Sequence, residues 1–387
     1  MHTTPLTEAL VHGAVEFEPT DAGLRVHRLP TWARAQAADP QLAMVEAQPA
    51  GARVVVSTTA RRVELRALAT RFAYRGAPAR PDGVFDVVVD GALVAQGTLD
   101  DATLVTLDPR TGGAETTPGQ VRGVVADNLP EGDKRVEIWL PHQETIELVE
   151  LLSDAPVRPV DPAGRRWVHH GSSISQGSNA AHPTGTWAAI AAMAGGVDLL
   201  NLGFGGSAMV DPFVARTMRD LPADLISLSL GINVVNADAM RRRAFRPAVH
   251  GFLDTIREGH PTTPLLVVSP ILCPIHESTP GPGAFDVEAL GRGELKFIAT
   301  GDPDEVNAGR LTLRVIRKEL ARIVEERSAD DPNLHYLDGR ELYGKADEAQ
   351  LPLPDNLHPT TAAHRRIGER FARRAFGPGG PFAVSHA

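Results

Sequence analysis

The chain has 387 residues, with 39 Lys+Arg against 48 Asp+Glu and a formal net charge of −9. That is too much chain for one ordinary core, so two domains are expected. An apolar fraction of 42% with 22% charged residues excludes a disordered chain, and the acidic balance excludes a general nucleic-acid binder, which needs clustered positive charge.

No apolar run approaches the roughly 18 to 20 residues of a membrane helix. Met1 to Glu16 lacks a basic segment followed by a continuous apolar stretch, so no secretion signal is expected. The single cysteine, Cys273, cannot form an internal disulfide. These features together predict a soluble protein of the reducing cytoplasm. The number that stands out is 14 histidines, which invites either a metal site or an acid–base site.

The first part of the chain alternates apolar and polar residues, the pattern of half-buried antiparallel strands. Val63 and Leu65 are interleaved with Arg62, Glu64 and Arg66. Val136, Ile138 and Leu140 are interleaved with Arg135, Glu137 and Trp139. Val84–Val88 and Leu93–Ala95 flank Asp90-Gly91, a dipeptide that tolerates the positive φ angles of a tight hairpin. Residues 1–155 are therefore predicted to form an all-β sandwich, jelly-roll-like, and 156–165 a linker broken by Pro156, Pro159 and Pro162.

From residue 166 to 387 short apolar runs alternate with helical stretches. Val168–His170, Leu199–Leu202, Leu225–Leu230, Leu265–Ser269 and Leu334–Leu337 are predicted as buried parallel strands. Leu313, Ile316, Leu320 and Ile323 share one helical face, and Ala363, Ile367, Phe371 and Ala375 mark a closing helix. The fold class predicted is α/β: a flavodoxin-like doubly wound parallel sheet, whose ligands gather at the carboxyl ends of the strands.

Four segments at those positions could carry chemistry. Gly171-Ser172-Ser173-Ile174-Ser175-Gln176-Gly177 holds a serine hydroxyl where the first strand ends. Serine is a weak nucleophile and needs a base. Asp355-Asn356-Leu357-His358-Pro359 puts an aspartate three residues before a histidine, so that one imidazole nitrogen can be bonded while the other stays free as base. Asn201–Ser207 offers backbone N–H groups, and Gly231-Ile232-Asn233 a side-chain amide, the two kinds of donor an oxyanion hole uses. Taken singly, the first is an ordinary Gly/Ser loop and the second a surface pair capping the last helix.

The four segments in this order resemble the SGNH hydrolases, the GDSL-like lipase/acylhydrolase superfamily. Gly171 to Gly177 is similar to that family's first block, with Ser173 at the nucleophile and Ser172 where aspartate is usual. Asn201 to Gly206 matches the second block, with Gly205 in place of serine. Gly231-Ile232-Asn233 matches the third, with Val234 replacing aspartate. Asp355 to Pro359 matches the fifth without change. The resemblance implies Ser173, His358 and Asp355 as catalytic triad, an oxyanion hole from the Ser173 and Gly206 N–H groups with the Asn233 amide, no metal and no cofactor.

The resemblance further implies an esterase that removes a short acyl group, acetyl foremost, from a small oxygen ester. An acyltransferase with the same triad is the alternative, and a non-catalytic carbohydrate-binding protein is the alternative of another class. An appended sandwich is similar to accessory domains of carbohydrate esterases, which makes an acylated sugar or glycoside the favoured substrate. The sandwich could equally shape the acyl pocket or join two copies as a homo-oligomer; neither nucleic acid nor membrane is an expected partner. His170, His182 and His276 are candidates for lining the pocket, with core or loop positions as their ordinary reading. A metal site drawn from these histidines and His358 lacks a strong ligand spacing. Arg241-Arg242-Arg243 with Arg246 reads as a solvated helix face, or more sharply as a contact to an acidic substrate. Cys273 is expected to be a small buried apolar residue.

Overall fold

A computed structural model describes residues 1–37, 39–76, 80–108 and 111–384, so the last three residues of the α/β domain expected at 166–387 lie outside the described set. The chain divides into two compact units. One comprises Met1–Thr31, Ala43–Ala163 and Ala181–Thr184, the other Trp32–Leu42, Gly164–Ala180 and Gly185–Ala387.

The first unit is all-β. Its eight-stranded sheet is built around the long antiparallel pair Val63–Tyr74 and Thr145–Ser153. A six-stranded sheet runs Val157–Pro159, Arg53–Thr58, Lys134–Trp139, Val84–Val89, Ala92–Thr98, with Val11–His12 added beside Arg53–Thr58. The alternation seen in sequence has a direct cause: Val63, Leu65, Ala67 and Ala69 of one sheet share a single core with Val54, Val56, Val87, Val136 and Ile138 of the other. Asp90 (φ 48°) and Gly91 (φ 85°) make the turn between Val84–Val89 and Ala92–Thr98, where two successive positive φ angles suit the twist of a tight hairpin. Trp139, on the polar side of its strand's alternation, is buried. The Arg53 guanidinium lies 4.8 Å over its ring, and its indole N–H donates to Glu137 at 3.0 Å. Inside the segment expected to be a linker, Val157–Pro159 forms a strand that, among the described residues, pairs with Arg53–Thr58 alone, an edge position that tolerates proline's missing N–H.

The second unit carries a five-stranded parallel sheet: β1 (Arg166–Gly171), β2 (Asp198–Gly203), β3 (Leu225–Ser229), β4 (Leu265–Val268) and β5 (Leu334–Leu337). The spatial order is β2-β1-β3-β4-β5, the flavodoxin-like order, so the chain reverses direction at β1. Alternate residues of β1 face opposite helical layers. Trp167 stacks at 5.1 Å on Phe371 and lies 6.2 Å from Trp187, whereas His170 stacks at 5.8 Å on Phe252. Phe371 belongs to the closing helix Thr361–Ala375, Trp187 to Trp187–Gly195 and Phe252 to Arg242–Gly259, so both faces of the sheet are covered. The predicted face Leu313, Ile316, Leu320 and Ile323 is wholly buried in the helix Leu313–Arg327.

Arg241, Arg242 and Arg243 are exposed at the start of Arg242–Gly259, as a solvated face requires. Arg242 and Arg246 pair at 2.7 and 3.4 Å with Glu319, a carboxylate only 1% exposed on Leu313–Arg327, and Arg246 also meets Glu326. The run thus also ties two helices together through a buried carboxylate.

Candidate active site

The second unit places the candidate residues just beyond β1, β2 and β3 and ahead of the closing helix. β1 runs straight into a short helix, Ser173–Gln176, whose N-cap is Ser172; the Ser172 hydroxyl accepts from the Ile174 N–H at 3.4 Å. Ser172 is thereby spent on local structure. The Ser173 hydroxyl shares a hydrogen bond of 2.9 Å with His358 Nε2. His358 Nδ1 lies 2.7 Å from Asp355 Oδ2, and the other carboxylate oxygen accepts the backbone N–H groups of Leu357 and His358 at 2.9 and 2.7 Å. Asn179 donates its amide to Asp355 Oδ2 at 3.2 Å, a partner the sequence patterns did not disclose.

Burial works to raise the Asp355 pKa, but bonding and charge from His358, with the N–H groups of His358 and Leu357, outweigh it and leave the carboxyl below its ordinary value. An ionised Asp355 accepting from Nδ1–H fixes the tautomer in which Nε2 presents its lone pair to the serine hydroxyl.

The second and third segments frame the place where an oxyanion would form. Asn201 donates to Ser175 O at 2.8 Å and accepts from Gly203 N at 2.8 Å, anchoring the helix Ser173–Gln176 to the loop after β2. Gly205 N–H donates to Gln176 Oε1 at 2.8 Å. The Ser173 and Gly206 N–H groups have no internal partner among the described residues. Gly206 sits at φ 77°, a conformation that suits glycine. Asn233, at the start of the short helix Ile232–Asn236, accepts the Ala208 N–H on Oδ1 at 3.1 Å, which orients the amide and leaves Nδ2 as a donor. Val234, where the resemblance has an aspartate, is fully buried.

The remaining histidines have settled places. His169 lies between Ser227 and Ser175 at 2.7 and 2.8 Å, and burial pushes its pKa down to about 3. His170 is buried, bonded to Leu202 O at 2.7 Å, with its ring against Phe252. His182 belongs to the all-β unit, where its Nδ1 meets the buried carboxylate of Asp86 at 2.7 Å beside Thr184. His276 is fully buried after β4, with Nδ1 bonded to Thr279 O at 3.2 Å. Of the three expected to line the pocket, His170, His182 and His276, none meets the Ser173–His358–Asp355 chain through a hydrogen bond among the described residues. No group of three or more His, Cys, Asp or Glu positioned for a metal ion is found among the described residues. Cys273 is buried, and burial with the charge of Glu277 pushes its thiol up to about 12, far from a thiolate nucleophile.

Three neighbours of the candidate residues were invisible to pattern reading. Gln41, far upstream, donates from Nε2 to Gly205 O at 2.9 Å, and Asp39 accepts the Ser207 hydroxyl at 3.2 Å. Phe297 meets the His358 ring edge-on at 5.7 Å and is held there by its N–H to Asp355 O at 2.9 Å and by Asn356 Nδ2 donating to its carbonyl at 3.1 Å. No motif marks any of the three, because each reaches its partner through a contact that only the folded chain creates.

A doubly wound sheet with this serine–histidine–aspartate chain defines an acyl-transferring hydrolase architecture. The chain belongs to the GDSL-like Lipase/Acylhydrolase family, whose pattern matches residues 170–366. Among solved structures it is similar to the salicylyl-acyltransferase SsfX3 of a tetracycline biosynthetic pathway, with 27% identity, 96% of each chain covered and a TM-score of 0.76. It is also similar to a protein of Bacteroides ovatus described as a GDSL-like lipase, with 20% identity, 96% of this chain and 95% of that one covered, and a TM-score of 0.67. A family two carbohydrate esterase of Clostridium thermocellum shares the fold at 13% identity, over 94% of this chain and 97% of that one, with a TM-score of 0.57. No curated protein sequence matches the chain. No helix among the described residues is long and apolar enough to cross a membrane.

Proposed function

We propose that the protein is a serine-dependent acyl-transfer enzyme, which takes a small acyl group from an ester onto Ser173 and passes it to a hydroxyl of a small molecule. The observation that carries this reading is the hydrogen-bonded chain Ser173 Oγ, His358 Nε2, His358 Nδ1, Asp355 Oδ2, at 2.9 and 2.7 Å. The likeness to an acyltransferase along both chains supports a hydroxyl as acceptor.

In this mechanism His358 Nε2 takes the Ser173 proton as Oγ attacks the acyl carbonyl. The negative charge that develops on the carbonyl oxygen is received by the Ser173 and Gly206 N–H groups and the Asn233 amide. Collapse of the tetrahedral intermediate breaks the ester bond, and His358 Nε2–H returns the proton to the departing oxygen. The second half runs in reverse: Nε2 takes the proton of the acceptor hydroxyl, whose oxygen attacks the acyl-serine, and Ser173 leaves with the proton. Asp355 holds the imidazole tautomer and stabilises the imidazolium.

Water as acceptor turns the same cycle into ester hydrolysis, and the family's acylhydrolase description favours this second reading. Short acyl esters, acetyl esters of sugars included, are the substrates it would take. Incubating the protein with p-nitrophenyl esters and acetylated sugars, with and without added alcohols, separates the two. New ester formed at the expense of free acid marks transfer; free acid alone marks hydrolysis. Ser173→Ala should abolish both, and a fluorophosphonate should label Ser173. Labelling confined to Ser172, or glycan binding with no turnover in the parent, would reject the acyl-enzyme reading.

A further inference from the structure

The hairpin Gly283–Phe285 with Phe297–Ala299 follows β4 and exposes more apolar surface than a short solvent-facing hairpin needs. Phe285 is 51% exposed, Val287 78% and Ile298 37%. Phe285 and Phe297 are direct cross-strand partners, with ring centroids 5.1 Å apart. Phe297 in turn meets the His358 ring at 5.7 Å. Apolar rings left open to water next to a reacting imidazole mark a surface that something covers.

We infer that Phe285 and Phe297 form the wall of the hydroxyl-side subsite, and that the departing or accepting alcohol is an aromatic or similarly flat, apolar hydroxyl compound rather than a sugar. The inference rests on the acyl-enzyme reading and names its partner. His358 Nε2 is the atom that exchanges a proton with the alcohol oxygen, so that oxygen must come within about 3 Å of it. The carbon skeleton attached to such an oxygen then lies beside the ring that flanks His358. Phe297 cannot swing away easily, because both of its backbone polar groups are bonded to the Asp355–Asn356 loop. A polyhydroxylated sugar would need free polar readers here. Three charged side chains of this hairpin turn to one another or to the backbone: Glu294 pairs with Lys296 at 3.0 Å, and Asp286 accepts the N–H groups of Glu288 and Ala289 at 3.0 Å each. A flat ring needs only the two phenyl faces and edges.

The test uses the full chain and Phe285→Ala, since Phe285 touches the proposed ligand side without contacting His358. Aryl and alkyl acetates are compared as donors, and phenol and ethanol as acceptors. The aryl-over-alkyl ratio of kcat/KM should fall about three- to ten-fold in Phe285→Ala, the range of one lost aromatic contact, and return in Phe285→Tyr. A ratio that does not move, or aryl and alkyl rates that fall together, overturns the inference. Binding of p-nitrophenol against methyl glucoside to Ser173→Ala, with and without Phe285→Ala, gives a second readout that needs no turnover. Preferred p-nitrophenol binding that depends on Phe285, in a parent without esterase or transferase activity, would sustain the subsite and sink the acyl-enzyme reading. Equal binding of both probes, in a parent that does turn over esters, would do the reverse.

Discussion

Gln41 donates its side-chain amide to the carbonyl of Gly205, 2.9 Å away and 164 positions later in the chain. A methyl group on the neighbouring Gly206 would stand 3.5 Å from Gln41 Cγ, so the glutamine lies along the open side of the proposed oxyanion donor. Its segment, Trp32–Leu42, is part of the same compact unit as the parallel sheet, although it precedes most of the all-β unit in sequence.

Gln41→Ala should therefore lower kcat more than it raises KM. One neutral hydrogen bond holding the loop is worth about 1 kcal/mol, so a loss of about three- to ten-fold is expected. Gln41→Glu, which keeps the shape but sets an acceptor-only carboxylate against the Gly205 carbonyl, should lower kcat at least as far. Steady-state kinetics on a p-nitrophenyl ester would show it, and an unchanged kcat in both variants would remove Gln41 from the oxyanion loop's support.

Asn233→Ala tests the side-chain donor. Its Oδ1 is committed to Ala208 N–H at 3.1 Å, so truncation removes Nδ2 from the site and also frees a backbone N–H. A fall in kcat on the order of 10²–10³ is expected, with the chain still folded by circular dichroism. Full turnover in a folded Asn233→Ala protein would rule the amide out of the oxyanion hole.

Asp355→Asn keeps the volume but loses the charge that fixes the His358 tautomer. Turnover should drop on the order of 10³–10⁴-fold while Ser173 remains accessible. Because the Asp355 pKa is held below its ordinary value, the wild-type carboxylate stays ionised wherever the protein is folded at mildly acidic pH.

His364 predicts an acid instability. Its Nδ1 accepts the Trp187 N–H at 3.3 Å and its Nε2–H donates to Ser178 O at 2.9 Å, so it is buried as the neutral ring, and burial lowers its pKa from 6.5 to about 4. Between these values the unfolded chain binds a proton that the folded chain does not. The stability is intact above pH 6.5 and is lost as pH falls toward about 4, at up to about 1.4 kcal/mol per pH unit. Denaturant midpoints measured from pH 7.5 down to 4.5 should fall, and His364→Gln should flatten that dependence; parallel slopes in the two proteins would contradict it.

Much of this was already written in local sequence. The runs ending at His170, Leu202, Leu230, Ser269 and Leu337 each hold a strand of one parallel sheet because apolar residues without polar alternation can be buried on both faces only there. The Asp355-x-x-His358 spacing was legible for the same local reason, since a short turn suffices to bring His358 Nδ1 to the Asp355 carboxylate. Tertiary structure alone decided what lies around that pair. His182 lies with Asp86 in the all-β unit because a buried carboxylate needs donors. Glu319 draws two arginines that looked solvent-bound. Gln41 reaches Gly205, and Phe297 reaches His358, by contacts between segments far apart in the chain. Periodicity and short motifs report a residue's relation to its near neighbours in sequence, whereas a partner across the fold is chosen by packing, which leaves no local mark.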